Sequence, residues 1–333
     1  MSETDCVKTT GDDPVLAPAL ELFGLGGARA ELIRHNENMT YKVTGGGERY
    51  VLRVHKPVDG FAADIYKMAA SRVELIQNEL DIIDALRNGT GIRMQTPVRG
   101  AGGGYVQALA DGTPVTLLEW VDGATVEAAG TTDEILADSG IMLAEMHGFF
   151  ARKDEQAKKY TRMRYDQSVL PEIADRISTA EKTGVLTGSQ AKSVILSLDE
   201  ARRRFDELDA MYEKHILHAD MGVSNVIVGP DGRLTPIDFS LCGYSHYYMD
   251  LAGIYSLNYD DQRRNIILEN YVKTRKCEIE ARYLEPYFML NIVLFIACQY
   301  ERAKDWDWFP EKMEQWRTEV FQPLAAGVPF LKL

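Results

Sequence analysis

Near its start the chain alternates apolar and polar residues over three short stretches, Ala30-Glu-Leu-Ile-Arg-His35, Met39-Thr-Tyr-Lys-Val-Thr44 and Glu48-Arg-Tyr-Val-Leu-Arg-Val54. A period of two sends successive side chains to opposite faces of a strand. Gly45-Gly-Gly47 predicts a hairpin turn between the second and third. The period then lengthens. Val73, Ile76, Leu80, Ile83 and Leu86 recur at helical intervals, with Ser71 as a candidate N-cap and Gly89 as a stop. Pro97-Val98, Tyr105–Leu109 and Pro114–Val121 add two or three more strands. From Thr132 onward the pattern is mostly helical: Thr132–His147, a helical pair within 166–213, Asp261–Lys276, Ala281–Lys304 and Pro310–Phe321. A short strand at Ile216-Leu217 and a hairpin interrupt these helices. In the hairpin, Val226–Val228 and Leu234–Ile237 flank the turn Gly229-Pro-Asp-Gly232. The expected architecture is α+β in three parts: a polar tail over 1–17, a β-rich lobe over 18–121 with its one helix, and a mainly helical lobe over 122–333.

Composition narrows the class. A chain of 333 residues with 45% hydrophobic content is long enough for two globular lobes. The polar, acidic start predicts no secretory signal, and no apolar run is expected to span a bilayer. Four scattered cysteines without a Cys-x-x-Cys pair indicate neither a zinc site nor a disulfide framework, so a reducing cytoplasm is the expected setting. A net charge of −13 argues against nucleic acid or an anionic membrane as partner.

The chemistry concentrates in His218-Ala-Asp220-Met-Gly-Val-Ser-Asn225 and in Ile237-Asp238-Phe239. The hairpin carries Asn225 at its start and Asp238 at its end, so the two are expected to be close in space. Phosphoryl transfer needs a carboxylate to orient an attacking hydroxyl and oxygen ligands to hold Mg²⁺ against a nucleotide. Asp220 suits the first role, and Asn225 and Asp238 the second. Upstream, Arg53 lies among apolar strand residues, where a charge is costly unless paired. Nucleotide phosphates could pair it, and so could Glu79, which shares a helix side with Ile76 and Ile83. The alternative is an exposed Arg on a surface strand. No Gly-Lys-Ser/Thr loop, His-Glu-x-x-His helix or Gly-x-Ser-x-Gly turn occurs.

The segment 215–251 resembles the aminoglycoside phosphotransferase and choline kinase superfamily of small-molecule kinases. That resemblance implies a two-lobed protein-kinase-like fold, a small antiparallel-sheet lobe plus a larger helical one, with ATP and Mg²⁺ as cofactors. It implies that Asp220 is the catalytic base, that Asn225 and Asp238 are the metal ligands, and that His218 braces the catalytic loop with Asp250 as a structural acid behind it. It also implies an Arg53–Glu79 pair at the nucleotide phosphates. The turn bearing Asn38 and Thr40 should cover those phosphates, and backbone at Glu119–Val121 should pair with adenine. The chain departs from the family pattern at Ala219 and Ser240, both usually glycine.

Only eleven residues separate Asp238 from Asp250. A protein kinase docks its peptide on a longer segment, so a small hydroxylated acceptor is expected. Asp305-Trp306-Asp307-Trp308 and Tyr259 combine carboxylates with aromatic faces, a chemistry that attracts ammonium groups. These residues either line the acceptor site or, for Trp306 and Trp308, pack the C-terminal helices with the acids in water. The expected function is an ATP- and Mg²⁺-dependent O-phosphotransferase for a small metabolite or aminoglycoside-like antibiotic. The rival is a nucleotide-binding pseudokinase serving as a regulatory or scaffolding module, for which Ala219, Ser240 and the glycine-free turn at 36–40 speak.

Overall fold

The computed structural model describes residues 13–59, 71–153, 158–255 and 261–333; for Tyr255 and Asp261 this covers the backbone alone. Its described residues form two compact units, meeting in sequence at Asp122 and Gly123.

The first unit is built on an antiparallel sheet. β1 (Arg29–His35), β2 (Met39–Gly45) and β3 (Glu48–Val54) follow one another, and β6 (Pro114–Glu119) pairs with β3. Two short strands, β4 (Pro97–Val98) and β5 (Gln107–Ala108), both pair with β6. Gly46 and Gly47 hold φ of +63° and +85° between the paired Gly45 and Glu48. Positive φ at both central residues suits the twist of a two-residue hairpin and is open to glycine without a Cβ clash. The alternation read from the sequence sets the faces. Tyr41, Val43, Leu52 and Val54 join Leu16, Ala19 and Leu20 of a short N-terminal helix in one core. Tyr105–Leu109 keeps only two residues in strand conformation, because Gly100–Gly104 closes a tight loop on itself (Gly100 N–H to Gly104 O, 2.9 Å).

The helix Arg72–Gly89 begins where its cap predicts: Ser71 Oγ accepts the Glu74 N–H at 3.2 Å. It runs through Arg87 and ends at the expected stop. Gly89 is its last residue, and Thr90 caps it through an N–H bond to Leu86 O. Ile76, Leu80, Ile83 and Leu86 are buried, and Glu79 is buried with them.

The second unit is mainly helical. Thr132 caps the helix Asp133–Arg152 by accepting the Ile135 N–H. The helical pair is Leu170–Lys182 and Gly188–Met211, the latter opened by a capping box at Thr187 and Gln190. Helices Tyr248–Tyr255, Asp261–Arg275, Ala281–Ala303 and Phe309–Trp316 follow. The last runs into a π-helical stretch, Arg317–Phe321. Ala281–Ala303 corrects one expectation, since by length and composition it could cross a membrane; 67% of its most apolar window is buried inside the unit. Two small sheets sit among the helices. β10 (Val226–Val228) lies between β11 (Leu234–Pro236) and β7 (Ala124–Thr125), and β12 (Gly243–Ser245) between β8 (Met163–Arg164) and β9 (His215–Leu217).

Candidate active site

Strand β9 ends at Leu217, and the next residues form a loop held from several sides. His218 is fully buried. Its Nε2 lies 2.9 Å from Ile237 O, and its Nδ1 accepts the Asp220 N–H at 3.3 Å. With Nδ1 accepting, the ring hydrogen resides on Nε2, so the imidazole spans the loop and the hairpin end. Its ring meets Phe239 edge-on at 4.4 Å. The bracing role expected of His218 thus has a geometry.

Beneath the loop, Asp250 accepts the N–H of His218 at 3.1 Å and of Ala219 at 2.6 Å. The same carboxylate accepts from His147 Nε2 at 2.9 Å, and His147 Nδ1 faces the Tyr271 hydroxyl at 2.9 Å. Burial by itself disfavours charge on Asp250, but the hydrogen bond from His147, the electrostatic effect of the His147 and His218 rings and the Ala219 N–H outweigh it. The carboxyl is held below the usual carboxylate range. His147 and His218 are therefore structural hydrogen-bonding groups here.

Two residues of this region occupy the left-handed region without being glycine: Ala219 at φ +62° and Asp238 at φ +63°. Such conformations cost of order 1–3 kcal/mol and persist where the surroundings enforce them. Ala219 is held by Asp250. Ser240 carries no positive φ; it lies in a 3₁₀ turn, Phe239–Leu241, so at that position the bend falls on Asp238 instead.

Hairpin geometry joins the remaining groups. Val226 pairs with Pro236, and one step further Ile237 N–H donates to Asn225 O at 2.9 Å. Asp238 thus follows directly on the residue bonded to Asn225. The Asn225 side chain turns toward the loop: Nδ2 donates to Asp220 O at 2.8 Å and to Asp220 Oδ2 at 2.9 Å. Asp220 is exposed, Asp238 half-buried and Asn225 buried. Spending Nδ2 on Asp220 leaves Oδ1 as the end of Asn225 suited to a hard cation, the same donor type as the Asp238 carboxylate.

The segment after Asp238 is gripped by residues the sequence reading missed. Buried Arg162 donates from Nε to Cys242 O at 2.7 Å and from Nη2 to Ser240 O at 2.5 Å and Phe239 O at 3.3 Å. Tyr165 donates to Leu241 O at 2.5 Å. Four consecutive carbonyls are satisfied from one edge. The alternation Thr161-Arg-Met-Arg-Tyr165 was the signal for a strand there, but nothing local reveals its partner almost eighty residues away. Gly253 was missed too. A Cβ there would stand 2.6 Å from Met221 O, so its lack of a side chain lets the helix Tyr248–Tyr255 lie directly on the loop.

In the first unit, Arg53 Nη1 and Glu79 Oε1 are 2.9 Å apart, with both side chains buried. Arg53 faces Thr40 on one neighbouring strand and Thr116 on the other. Asn38 is buried, and its Oδ1 has no hydrogen-bond partner among the described residues. At the end of β6, Glu119 N–H donates to Thr96 O at 2.9 Å, and Glu119 O accepts from Gln95 Nε2 at 3.3 Å. Trp120 N–H donates to Arg49 O, and half-buried Val121 follows.

Of the aromatic and acidic candidates, Tyr259 lies outside the described residues. Trp306 and Trp308 stack at 5.2 Å, and Phe295 stacks on Trp306 at 5.8 Å. Asp305 and Asp307 are exposed, and the chain's own Arg302 lies over the Trp306 ring, as Lys312 does over that of Trp316.

Comparisons with known proteins bear on the fold and the family. No curated protein matches the chain at a significant level. Among solved structures, amicoumacin kinase hAmiN in complex with AMP-PNP, Ca²⁺ and Ami is 17% identical with a TM-score of 0.71, covering 97% of this chain and 96% of that one. A microcompartment-associated aminopropanol kinase is 21% identical with a TM-score of 0.68, covering 93% and 99%. Spectinomycin phosphotransferase APH(9)-Ia, in complex with ADP and spectinomycin, is 13% identical with a TM-score of 0.63, covering 98% and 100%. These likenesses share the fold expected from the sequence. The profile of the phosphotransferase enzyme family (APH) matches residues 29–285, and the chain belongs to that family.

Proposed function

We propose that the protein is an ATP- and Mg²⁺-dependent kinase that phosphorylates a hydroxyl of a small molecule, a metabolite or an antibiotic. The observation that carries this reading is the double hydrogen bond from Asn225 Nδ2 to Asp220, which aims an exposed carboxylate from a loop pinned by His218 and Asp250. Asp220 orients the acceptor hydroxyl and takes its proton. The hydroxyl oxygen forms a bond to the γ-phosphorus, the bond from that phosphorus to the β–γ bridging oxygen breaks, and ADP leaves. Asn225 and Asp238 offer hard oxygen ligands for Mg²⁺, which when bound neutralises charge on the phosphates. Arg53, its side chain fixed by Glu79, is assigned to the nucleotide phosphates. Asn38 and Thr40 are assigned to phosphate oxygens, and the backbone of Glu119 and Val121 to the adenine edge. The nucleotide analogue and divalent ion bound to amicoumacin kinase support the cofactor assignment by fold analogy.

The pseudokinase reading drew on Ala219 and Ser240. Ala219 adopts the positive φ that its place requires and Ser240 needs none, which favours the enzyme. The test is Asp220→Ala assayed by ADP release over a panel of amino alcohols, sugars, hydroxy acids and aminoglycosides. Turnover should drop by about 10²–10⁴-fold, the usual contribution of a positioned acid or base, with ATP binding retained. Near-normal turnover would remove Asp220 from its role. Asp238→Ala should abolish the Mg²⁺-dependent part of the thermal shift that ATP produces.

A further inference from the structure

Asp238 hangs between two anchored neighbours. On one side Ile237 donates its N–H to Asn225 O at 2.9 Å, and its own carbonyl lies 2.9 Å from His218 Nε2. On the other side Phe239–Leu241 form a single 3₁₀ turn, closed by the Cys242 N–H on Phe239 O at 3.0 Å. Asp238 itself sits at φ +63°, ψ +67°, a conformation that a non-glycine residue keeps only where its surroundings enforce it. The direction of its carboxylate follows from that backbone, so whatever fixes Ile237 and Phe239 aims the carboxylate. His218 serves the first side. The second side depends on Arg162.

Arg162 is 3% exposed, and its planar fork meets three carbonyls at once, those of Phe239, Ser240 and Cys242. The Tyr165 hydroxyl takes the fourth, Leu241 O. Five donors in a rigid plane can serve several oxygens in fixed directions, which a lysine ammonium on a flexible stem cannot reproduce.

The grip has a firm base. Met163 and Arg164, next in the chain, pair in parallel with Gly243 and Tyr244 of β12. The approach is so close that a Cβ at Gly243 would stand 2.5 Å from Met163 O. Tyr165 N–H donates to Tyr244 O at 2.9 Å, and Ser245 Oγ donates to Tyr165 O at 2.7 Å. Buried Asp166 then accepts the Ser168 N–H at 2.9 Å and Lys214 Nζ at 3.0 Å, which ties the strand to the start of the helical pair. Arg162 is therefore held on both flanks while it holds the residues after Asp238.

We propose that Arg162 is a positioning residue for the divalent metal: it fixes the Phe239 side of Asp238 and so sets how the Asp238 carboxylate meets Mg²⁺. This rests on the phosphotransferase reading above and adds to it a residue that the family resemblance did not supply. Hydrogen-bonded supports behind metal ligands typically contribute about 10–100-fold in metal affinity.

The test titrates Mg²⁺ against the full-length protein at fixed ATP and follows the thermal shift. In Arg162→Lys the Mg²⁺ concentration at the midpoint should rise by about tenfold or more, while the shift at saturating Mg²⁺ stays close to the parent's. Tyr165→Phe, which removes one donor and keeps the ring, should move the midpoint in the same direction. Arg164→Gln should leave it in place, since that side chain is 52% exposed and Asp166 retains Lys214. Without nucleotide or metal, amide exchange over residues 237–245 should be faster in Arg162→Lys, and exchange over residues 226–236 should be unchanged. A merely structural Arg162 would lower the melting temperature without moving the midpoint. The inference is overturned if Arg162→Lys and Tyr165→Phe both keep the parent's midpoint, or if Arg164→Gln moves it as far as they do. A parent whose ATP-induced shift ignores Mg²⁺ would sink the phosphotransferase reading together with this inference; a Mg²⁺-dependent parent with unmoved variants would sink the inference alone.

Discussion

The Ala219 N–H points into the Asp250 carboxylate, 2.6 Å from Oδ1, while Ala219 itself holds φ at +62°. The acid therefore enforces a backbone conformation that alanine disfavours, one residue before Asp220. Asp250→Ala would strand three donors, from His147, His218 and Ala219, and should destabilise by roughly 3–5 kcal/mol. A carboxyl whose pKa is lower folded than unfolded contributes stability that is present above the unfolded value, about 3.9, and lost as pH falls through the folded one. Urea denaturation midpoints of Asp250→Asn should accordingly flatten below about pH 4 relative to the parent.

Substitution of Ala219 itself separates strain from burial. Glycine relieves about 1–2 kcal/mol of left-handed strain and gives up a buried methyl worth about 0.8 kcal/mol plus backbone entropy. Ala219→Gly should thus lie within about 1 kcal/mol of the parent, whereas Ala219→Val, β-branched at positive φ, should lose about 2–3 kcal/mol. Equal stabilities for the two variants would contradict the observed backbone.

Gly253→Ala tests the support beneath the loop from the other side. Its Cβ would meet Met221 O at 2.6 Å, and that atom is backbone, so the loop must shift. The expected result is a fall in turnover of about tenfold or more with folding largely intact, in line with the sensitivity of catalysis to ångström-scale misplacement.

Arg53 and Glu79 are separable by a double-mutant cycle. Arg53→Met alone removes the cation 2.9 Å from a buried carboxylate and should cost about 3–5 kcal/mol; adding Glu79→Leu should recover most of that loss. If Arg53 also serves nucleotide phosphates, the double variant will be stable yet bind ATP poorly. Parent-like ATP affinity in that variant would confine the pair to a structural role.

His246 provides a pH signature in the second unit. Desolvation pulls its pKa below the ordinary value, outweighing the hydrogen bond and charge of Asp209 and the charge of Asp166, while Lys214 acts in the same direction as burial. For a histidine held neutral in the fold, stability is present above the unfolded pKa of about 6.5 and is lost as pH falls through the folded value. The slope should reach at most about 1.4 kcal/mol per pH unit and should disappear in His246→Gln.

Much of this was legible in the chain. Period-two alternation located β1, β2 and β3, and the caps Ser71 and Thr132 placed the starts of two helices. The hairpin turn at 229–232 brought Asn225 beside the residue preceding Asp238, because a tight turn sets the register of everything that follows it. Local chemistry of this kind acts over a few residues, so the sequence order contains it.

Other features depended on tertiary packing. The donors from Arg162 and Tyr165 reach carbonyls more than seventy residues away, and no nearby pattern specifies which chain segment fills an edge. The clash that makes Gly253 necessary exists only once a helix rests on the loop. Asp305 and Asp307 are exposed while Trp306 and Trp308 stack on one another and on Phe295, the packing alternative of the two that the sequence left open. By itself the sequence determined the strand and helix periods, the hairpin register and the set of groups proposed for phosphoryl transfer, all products of local sterics and covalent order. The tertiary structure decided which backbone groups those side chains serve and which rings stack together, because long-range contacts form between surfaces that no short stretch of chain contains.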